Sequence, residues 1–275
     1  MAWKRTATLL AALAALPIAG YAAYGLGYAW YNAPSDDDLP FTADFETGNL
    51  DQWRWSGAMQ LCCGHSAQVV ADTARDGRHA VRMTLRRDDP LMRGSKRAEF
   101  RLPSNTFGET YRYAFSVFIP VDWQPDHNGV LLAQWHNVPD IIFGEDAVPP
   151  PLRLYVKGDR MSVEVRWDAH PLSRHPLRDE QTDGFAVVWV GPLETGRWID
   201  WSFDVRWSWG DDGLLEVSKD GTVIVERHGP NAYHDLIAPY FKMGVYVPVW
   251  ADENRPAEMT SRTVFFDAVD VRRLK

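Results

Sequence analysis

The sequence has only two cysteines, no internal repeat and fewer basic than acidic residues. Cys62 and Cys63 are adjacent, so they cannot close a long loop, and neither a C-x-x-C motif nor cysteines spaced with histidines are present. A disulfide scaffold and a zinc site are therefore unsupported; the pair is interpreted as two buried thiols, with a vicinal bridge as the alternative. The net charge of −8 is opposite in sign to that of a typical DNA-binding protein, so nucleic acid is not an expected partner.

The N-terminus has the pattern of a targeting segment. Lys4 and Arg5 precede residues 7–31, which carry no charge and are mostly apolar. That run is longer than the roughly 7–15 apolar residues of a cleaved signal and reaches the about 20 residues of a membrane span. We expect residues 1–35 to be a signal anchor, or else a signal peptide, with a short linker, and residues 36–275 to be an exported domain, either periplasmic or extracellular.

The sequence after the targeting segment has the pattern of β-strands. Hydrophobic residues make up 45% of the chain, and 13 tryptophans, 10 tyrosines and 12 phenylalanines suit a large β core. No long amphipathic helix is predicted after residue 40, and turn signals separate the apolar runs, which favours an all-β sandwich of two antiparallel sheets. The predicted strands include residues 80–87, 110–119, 130–136, 161–167 and 198–207, and a hairpin over 214–226.

Three segments separate into an apolar face and an unusual polar face, because strand side chains alternate. The segments are residues 97–101, 132–136 and 240–246. Their polar faces hold Arg97, Glu99, Arg101, Gln134, His136, Tyr240, Lys242 and Tyr246, with Gly244 between the last two. Guanidinium, amide, imidazole and phenol groups are the set needed to act on an anionic sugar, and Glu99 is interpreted as an ion-pair partner that orients an arginine.

The chemistry that fits this set is β-elimination on a uronic acid. Removing the proton beside the carboxylate builds negative charge on the carboxyl group, which Arg97 and Gln134 could stabilise. His136 is the natural neutral base and Tyr246 can donate a proton to the departing oxygen. Gly244 is expected to leave room for a sugar ring. Lys242 lies four residues from Tyr246, about 13 Å along a strand, and is expected to serve a neighbouring subsite.

The segments RAEFR (97–101), AQWH (133–136) and YFKMGVY (240–246), with their flanks, resemble the signature strands of jelly-roll polysaccharide lyases. The similarity is greatest to the heparin-lyase-I and glucuronan-lyase-like group and more distant to alginate lyases. It implies a concanavalin-A-like jelly roll that cleaves uronate polysaccharides as a carbon–oxygen lyase. By resemblance, the catalytic residues are His136, Tyr246, Arg97 and Gln134, and Lys242 binds substrate. Arg101 and Tyr240, on the same polar faces, are further candidates for binding substrate, with packing as the alternative for Tyr240. Ala98 and Val247 depart from the alginate-lyase pattern, so the substrate stays open.

Two alternatives are weighed against a lyase. A glycoside hydrolase of this fold would need paired carboxylates, and the sequence has no Glu-x-Asp. A lectin-like binding domain would need no base and acid. We expect a monomer that binds an anionic polysaccharide through a basic patch of Arg93, Lys96, Arg97 and Arg101 and needs no cofactor or catalytic metal. Asp44, Glu46 and Asp267 are weak candidates for structural calcium, and Trp250 for stacking on a sugar.

Overall fold

The computed structural model describes residues 20–35, 39–56, 58–173 and 184–275. Helix α1 covers residues 20–31, and the six-residue helix α2 covers Asp51–Ser56. The strands are β1 (Phe41–Ala43), β2 (Ala58–Gln60), β3 (Ala67–Val70), β4 (Ala80–Arg86), β5 (Arg97–Ser104), β6 (Thr110–Phe118), β7 (Val130–Val138), β8 (Leu152–Lys157), β9 (Arg160–Trp167), β10 (Gly184–Pro192), β11 (Trp198–Arg206), β12 (Leu214–Lys219), β13 (Thr222–His228), β14 (Ile237–Tyr246) and β15 (Ser261–Arg273). Short 3-10 turns lie at Ile141–Phe143 and Pro248–Ala251.

The strands form two antiparallel sheets, which confirms the predicted sandwich. One sheet has the order β3-β4-β15-β6-β11-β12-β13, with β1 also paired to β15. The other has the order β2-β5-β14-β7-β8-β9-β10. The predicted strands and the hairpin fall on observed strands to within a few residues. Residues 168–184, rich in His, Pro, Arg and Asp, have the sequence pattern of a long loop. Within this range, residues 174–183 lie outside the described residues.

Aromatic side chains pack the two sheets together. Trp135 on β7 lies 4.6 Å from Phe203 on β11, and Phe115 on β6 lies 5.6 Å from Phe241 on β14, measured between ring centroids. All four rings are buried. Trp135 therefore belongs to the core, as its strand alternation predicts, and the neighbouring Gln134 and His136 point to the opposite face of the seven-stranded sheet.

Three local expectations are changed by the structure. Cys62 and Cys63 are bonded to each other, which is the vicinal bridge rather than two thiols. Trp250 is 1% exposed, so the idea that it stacks on a sugar is wrong. A Cβ on Gly244 would lie 2.1 Å from the carbonyl oxygen of Ala98, and its φ is +146°. That glycine permits a close approach of β5, rather than leaving room for a sugar ring.

The predicted hydrophobic segment is only partly described. Residues 20–31 of it form helix α1, while residues 1–19 lie outside the described residues. Among the helices that the structure describes, none combines the length and the apolar character needed to cross a bilayer.

Candidate active site

The three signature segments become adjacent strands, with β14 between β5 and β7. In register, Tyr246 lies opposite Arg97, Lys242 opposite both Arg101 and Gln134, and Tyr240 opposite His136. We call the side of the sheet away from the core the polar face; its residues here are Arg97, Glu99, Arg101, Gln134, His136, Tyr240, Lys242 and Tyr246. Strand pairing thus brings all seven predicted site residues to one face of three adjacent strands.

Glu99 is the centre of this group. One carboxylate oxygen accepts a hydrogen bond from Gln134 Nε2 at 2.5 Å, and the other accepts from Lys242 Nζ. Arg97 Nη1 lies 3.4 Å from the second oxygen. The expectation that Glu99 pairs with Arg97 is confirmed, but its contacts with Gln134 and Lys242 depend on strand register and were not predicted. Three charged groups in contact leave one net positive charge.

The cluster is buried, with Glu99 2% and Lys242 1% exposed and Gln134 fully covered. Burial lowers the pKa of Lys242 to about 8 despite the opposing effect of Glu99, so the ammonium is charged at neutral pH. Among the described residues, Gln134 Oε1 and Arg97 Nε have no hydrogen-bond partner. The Arg97 Nε–H, a donor beside a net positive charge, is suited to bind an anion, whereas Gln134 Oε1 can only accept a hydrogen bond, for example from a sugar hydroxyl.

Tyr246 completes this end of the site. Its ring lies 4.3 Å from the Arg97 guanidinium carbon and 5.8 Å from Lys242 Nζ. Ser95 Oγ donates a hydrogen bond of 3.3 Å to the phenol oxygen. Lys242 is therefore much nearer to Tyr246 than the 13 Å strand spacing predicted, because its long side chain leans along the strand towards the ring. The predicted separation of about 13 Å is therefore wrong for the ends of these side chains, and the role of Lys242 at a neighbouring subsite stays a prediction.

His136 is held in one tautomer. Nδ1 lies 2.9 Å from the carbonyl oxygen of Asn137. A carbonyl only accepts, so Nδ1 carries the proton and the neutral ring keeps its lone pair on Nε2. Burial lowers the pKa of His136 to about 4, and the charges of Lys242 and Arg97 act in the same direction, against the bond to Asn137. His136 is thus an unprotonated base at neutral pH.

Arg101 is placed differently from Arg97. It is 5% exposed, and its Nη2 donates a 2.5 Å hydrogen bond to Asn32 Oδ1, just after helix α1. Its guanidinium carbon lies 4.0 Å from the ring centroid of Tyr240 and 4.9 Å from that of Tyr31. Sequence reasoning missed Asn32 and Tyr31 because they were assigned to the targeting segment.

The predicted basic patch is only partly exposed. Lys96 is buried and donates to the carbonyl oxygen of Asp89, while Arg93 is exposed and donates to the Tyr31 hydroxyl at 3.1 Å. The local positive charge at the site therefore comes mainly from Arg97, Lys242 and Arg101.

The calcium candidates lie away from the polar face. Glu46 accepts from the backbone of Arg78 and His79, and Asp267 from that of Arg75 and Asp76. In the described part of the chain, ligand atoms converge at two other places, Cys62–Cys63–Asp89 and Asp126–His127–Glu258. The first of these has its two sulfurs bonded to each other. Calcium binding stays a prediction.

Comparison with known proteins agrees with this architecture. Residues 45–270 match a family model described as "Polysaccharide lyase". An endo-beta-1,4-glucuronan lyase from the fungus Trichoderma reesei is similar, with a TM-score of 0.67 and 20% identity over 85% of this chain and 95% of that one. No curated protein sequence matches the chain.

Two alginate lyases also share the fold. A family 7 alginate lyase solved with product has a TM-score of 0.57 and 13% identity, over 83% of this chain and 99% of its own. An alginate lyase from Pseudomonas aeruginosa has a TM-score of 0.51 and 16% identity, over 80% and 98%. At such identities these likenesses show the fold, and they confirm the predicted jelly roll.

Proposed function

The chain belongs to the polysaccharide lyase family, and from that premise we propose that it cleaves a uronic-acid-containing polysaccharide by β-elimination. The observation that supports the proposal is that Arg97, Gln134, His136 and Tyr246 lie on the polar face of three adjacent strands. Two of them, Arg97 and Gln134, contact Glu99. The similarity to a glucuronan lyase and to alginate lyases supports a uronate as the substrate class.

The carboxylate of the sugar is bound at the positive end of the site. Arg97 has its Nε unpartnered among the described residues and a side chain 13% exposed, so its fork is available to an incoming anion. Gln134 contributes the amide N–H that Glu99 does not use. Lys242 keeps the local charge positive through its contact with Glu99. As the adjacent proton leaves, these donors stabilise the charge that spreads onto the carboxyl group.

His136 and Tyr246 move the protons. The lone pair on His136 Nε2 takes the proton from the carbon next to the carboxylate. The electron pair of that C–H bond forms a double bond in the ring, and the glycosidic C–O bond breaks. Tyr246 gives its hydroxyl proton to the departing oxygen. The products are an unsaturated uronate end and a new sugar end, with one proton received and one given.

Tyr240 and Arg101 support the site from the α1 side, and residues 7–31 direct export as an anchor or a signal. We further propose a monomer. N-terminal sequencing of the mature chain from the exported fraction tests the targeting proposal: an intact start at Met1 supports an anchor, and a start within or after residues 7–31 supports a cleaved signal. Recovery only in the cytoplasm contradicts both.

The activity test is direct. The full chain is incubated with glucuronan, alginate, hyaluronan and heparin, and the ultraviolet absorbance of the unsaturated uronate is followed. We expect absorbance to rise with one or more of them, and His136→Ala and Tyr246→Phe each to lower the rate by about 10²–10⁴-fold. Tyr24→Phe, at an exposed phenol on α1, is the matched control. Binding without absorbance would instead support a lectin, and new reducing ends without absorbance a hydrolase.

A further inference from the structure

Helix α1 is fixed against the sheet at its first half. Gly25 is buried, and a Cβ there would lie 2.8 Å from Ile142 Cβ and 3.1 Å from Ile142 Cα. Tyr21 donates a hydrogen bond to the carbonyl oxygen of Ile141. Both isoleucines belong to the 3-10 turn Ile141–Phe143, shortly after the end of β7, so this half of the helix lies near the end of the strand that carries Gln134 and His136.

The other half is fixed to β5. Asn32 is 2% exposed and uses both ends of its amide: Nδ2 donates 2.7 Å to the carbonyl oxygen of Tyr28, and Oδ1 accepts from Arg101. Pro34 forms a parallel bridge with Ser104, the last residue of β5. Between these two ends, Tyr28 of helix α1 is close enough to Tyr240 on β14 and to Arg101 on β5 for them to affect its pKa, which burial mainly raises.

A continuous column of side chains leads from this helix to His136. The Tyr31 ring contacts the Arg101 guanidinium, which contacts the Tyr240 ring. The Tyr240 ring is stacked on His136, with 5.6 Å between centroids and an interplanar angle of 18°. The planar guanidinium of Arg101 thus contacts one aromatic ring on β14, Tyr240, and one on helix α1, Tyr31. Its Nη2 donates a hydrogen bond to Asn32.

We propose that helix α1 is part of the active site and that Arg101 is a positioning residue, which holds Tyr240 and through it the His136 ring, rather than a ligand of the substrate carboxylate. The proposal rests on the lyase function above for its kinetic tests, and it requires that residues 20–31 stay in the mature chain and lie on the sheet rather than in a membrane. A mature chain that begins after helix α1 would therefore overturn it. It revises the expectation that Arg101 binds substrate, because Arg101 Nη2 is bound by Asn32 and its guanidinium lies against the Tyr240 and Tyr31 rings. Its Nε, which has no hydrogen-bond partner among the described residues, is buried. The recognition of the carboxylate is left to Arg97.

The first test separates positioning from binding. Asn32→Ala removes the acceptor that holds Arg101. We expect kcat to fall by about ten- to a hundredfold, since misplacing a catalytic group by about 1 Å has costs of that order, and the Kd of a non-cleaved uronate oligosaccharide to stay within about twofold. Arg101→Lys should behave like Asn32→Ala, because an ammonium keeps the charge but cannot stack as a plane. A large rise in Kd with kcat retained would show that Arg101 binds substrate and would overturn the proposal.

A second test uses two glycines of the same helix. Gly25→Ala places a Cβ against Ile142, whereas a Cβ on Gly27 meets no heavy atom of the described residues within 4 Å. Both changes raise helix propensity equally, so only the clash differs. We expect Gly25→Ala to lower kcat and Gly27→Ala to retain it. Equal behaviour of the two variants would contradict a docked helix, and a rate increase in Gly25→Ala would identify the helix as a lid instead.

A third readout needs no turnover. The imidazole of His136 is titrated by NMR in the full chain without substrate. His136 is partly exposed, and loosening the column lets more water reach its ring. The pKa of His136 should therefore move upward from about 4 in Asn32→Ala and Gly25→Ala but not in Gly27→Ala. If this shift is found while the wild-type chain cleaves none of the four polymers, the lyase proposal fails and the positioning role stands. An unchanged titration in all variants would overturn the positioning role even in an active enzyme.

Discussion

Each of the two sheets carries an arginine and a carboxylate two residues apart on one strand, and the two pairs have opposite surroundings. Asp270 and Arg272 on β15 keep side-chain exposures of 24% and 53%. Glu99 and Arg97 on β5 keep 2% and 13%. An exposed pair contributes little to stability, because water screens it and holding two long side chains costs entropy. A buried pair requires desolvation of both charges. A cluster of three buried charges is therefore a feature that folding alone does not favour, and it marks the face where the chemistry is proposed.

Removing one carboxylate from each pair should give the largest difference between the two sheets. In Glu99→Gln, Lys242 and Arg97 lose their anion in a buried layer, and we expect a loss of about 3–5 kcal/mol in the free energy of unfolding. In Asp270→Asn, the matched change on the exposed pair, the loss should stay below about 1 kcal/mol. Urea unfolding of both variants measures this.

A bound anion sharpens the same test. A uronate oligosaccharide supplies the missing negative charge, so it should raise the unfolding midpoint of Glu99→Gln more than that of the wild type. Similar losses for the two variants, with no added effect of the oligosaccharide, would mean that water already solvates the Glu99 cluster and that the contrast between the sheets is not real.

The next effect is on pH dependence. His136 has its pKa lowered to about 4, so it is a neutral base above that pH and kcat/KM should fall as the pH drops through about 4, rather than through the ordinary value near 6.5. Lys242 has its pKa lowered to about 8, so the positive charge beside Glu99 is lost as the pH rises through about 8. A bell-shaped profile with those two limbs is expected.

The variant Lys242→Arg tests whether the fall of kcat/KM at alkaline pH is caused by deprotonation of Lys242. A guanidinium stays charged at all accessible pH values, so this variant should lose the fall near pH 8 while the acid limb stays in place. An acid limb near pH 6.5 would indicate that water reaches His136 in solution.

The lowered pKa of His136 also affects the stability of the fold. Between about pH 6.5 and pH 4 the unfolded chain binds a proton at this imidazole and the folded chain does not, so the free energy of unfolding should decrease as the pH falls through that range.

Features of the site that depend on residues close in sequence could be predicted, whereas contacts between residues far apart in sequence could not. Alternation along a strand placed Gln134 and His136 on one face and Trp135 on the other, because that periodicity is local. The contact of Gln134 with Glu99 needed more, since it depends on the pairing of β14 with both β5 and β7 and on the irregularities in that pairing. The predicted 13 Å between Lys242 and Tyr246 followed backbone spacing and ignored the direction of a long side chain.

Helix α1 could not be predicted as part of the site for a different reason. Its composition is apolar and uncharged, which is the pattern of a targeting segment. Nothing in that pattern distinguishes a helix that lies in a membrane from one whose Gly25 packs on Ile142 and whose end residue Asn32 binds Arg101. Docking is a tertiary interaction, and its local signals in the sequence are weak. They are Gly25, one of three glycines in the helix, and the polar residue Asn32 after the hydrophobic run.

The smallest effect is on salt dependence, and it tests the comparison from the solvent side. The Debye length falls from about 10 Å at 0.1 M salt to about 3 Å at 1 M, so the exposed Asp270–Arg272 pair should be screened. The small stability difference between Asp270→Asn and the wild type should then vanish at 1 M sodium chloride, while that of Glu99→Gln should persist, because ions do not enter the buried cluster. Substrate binding should weaken over the same range, since the polymer carries its charges in from solvent. A loss of the Glu99→Gln difference at high salt would place that carboxylate in contact with the solution and remove the basis on which the two pairs are distinguished.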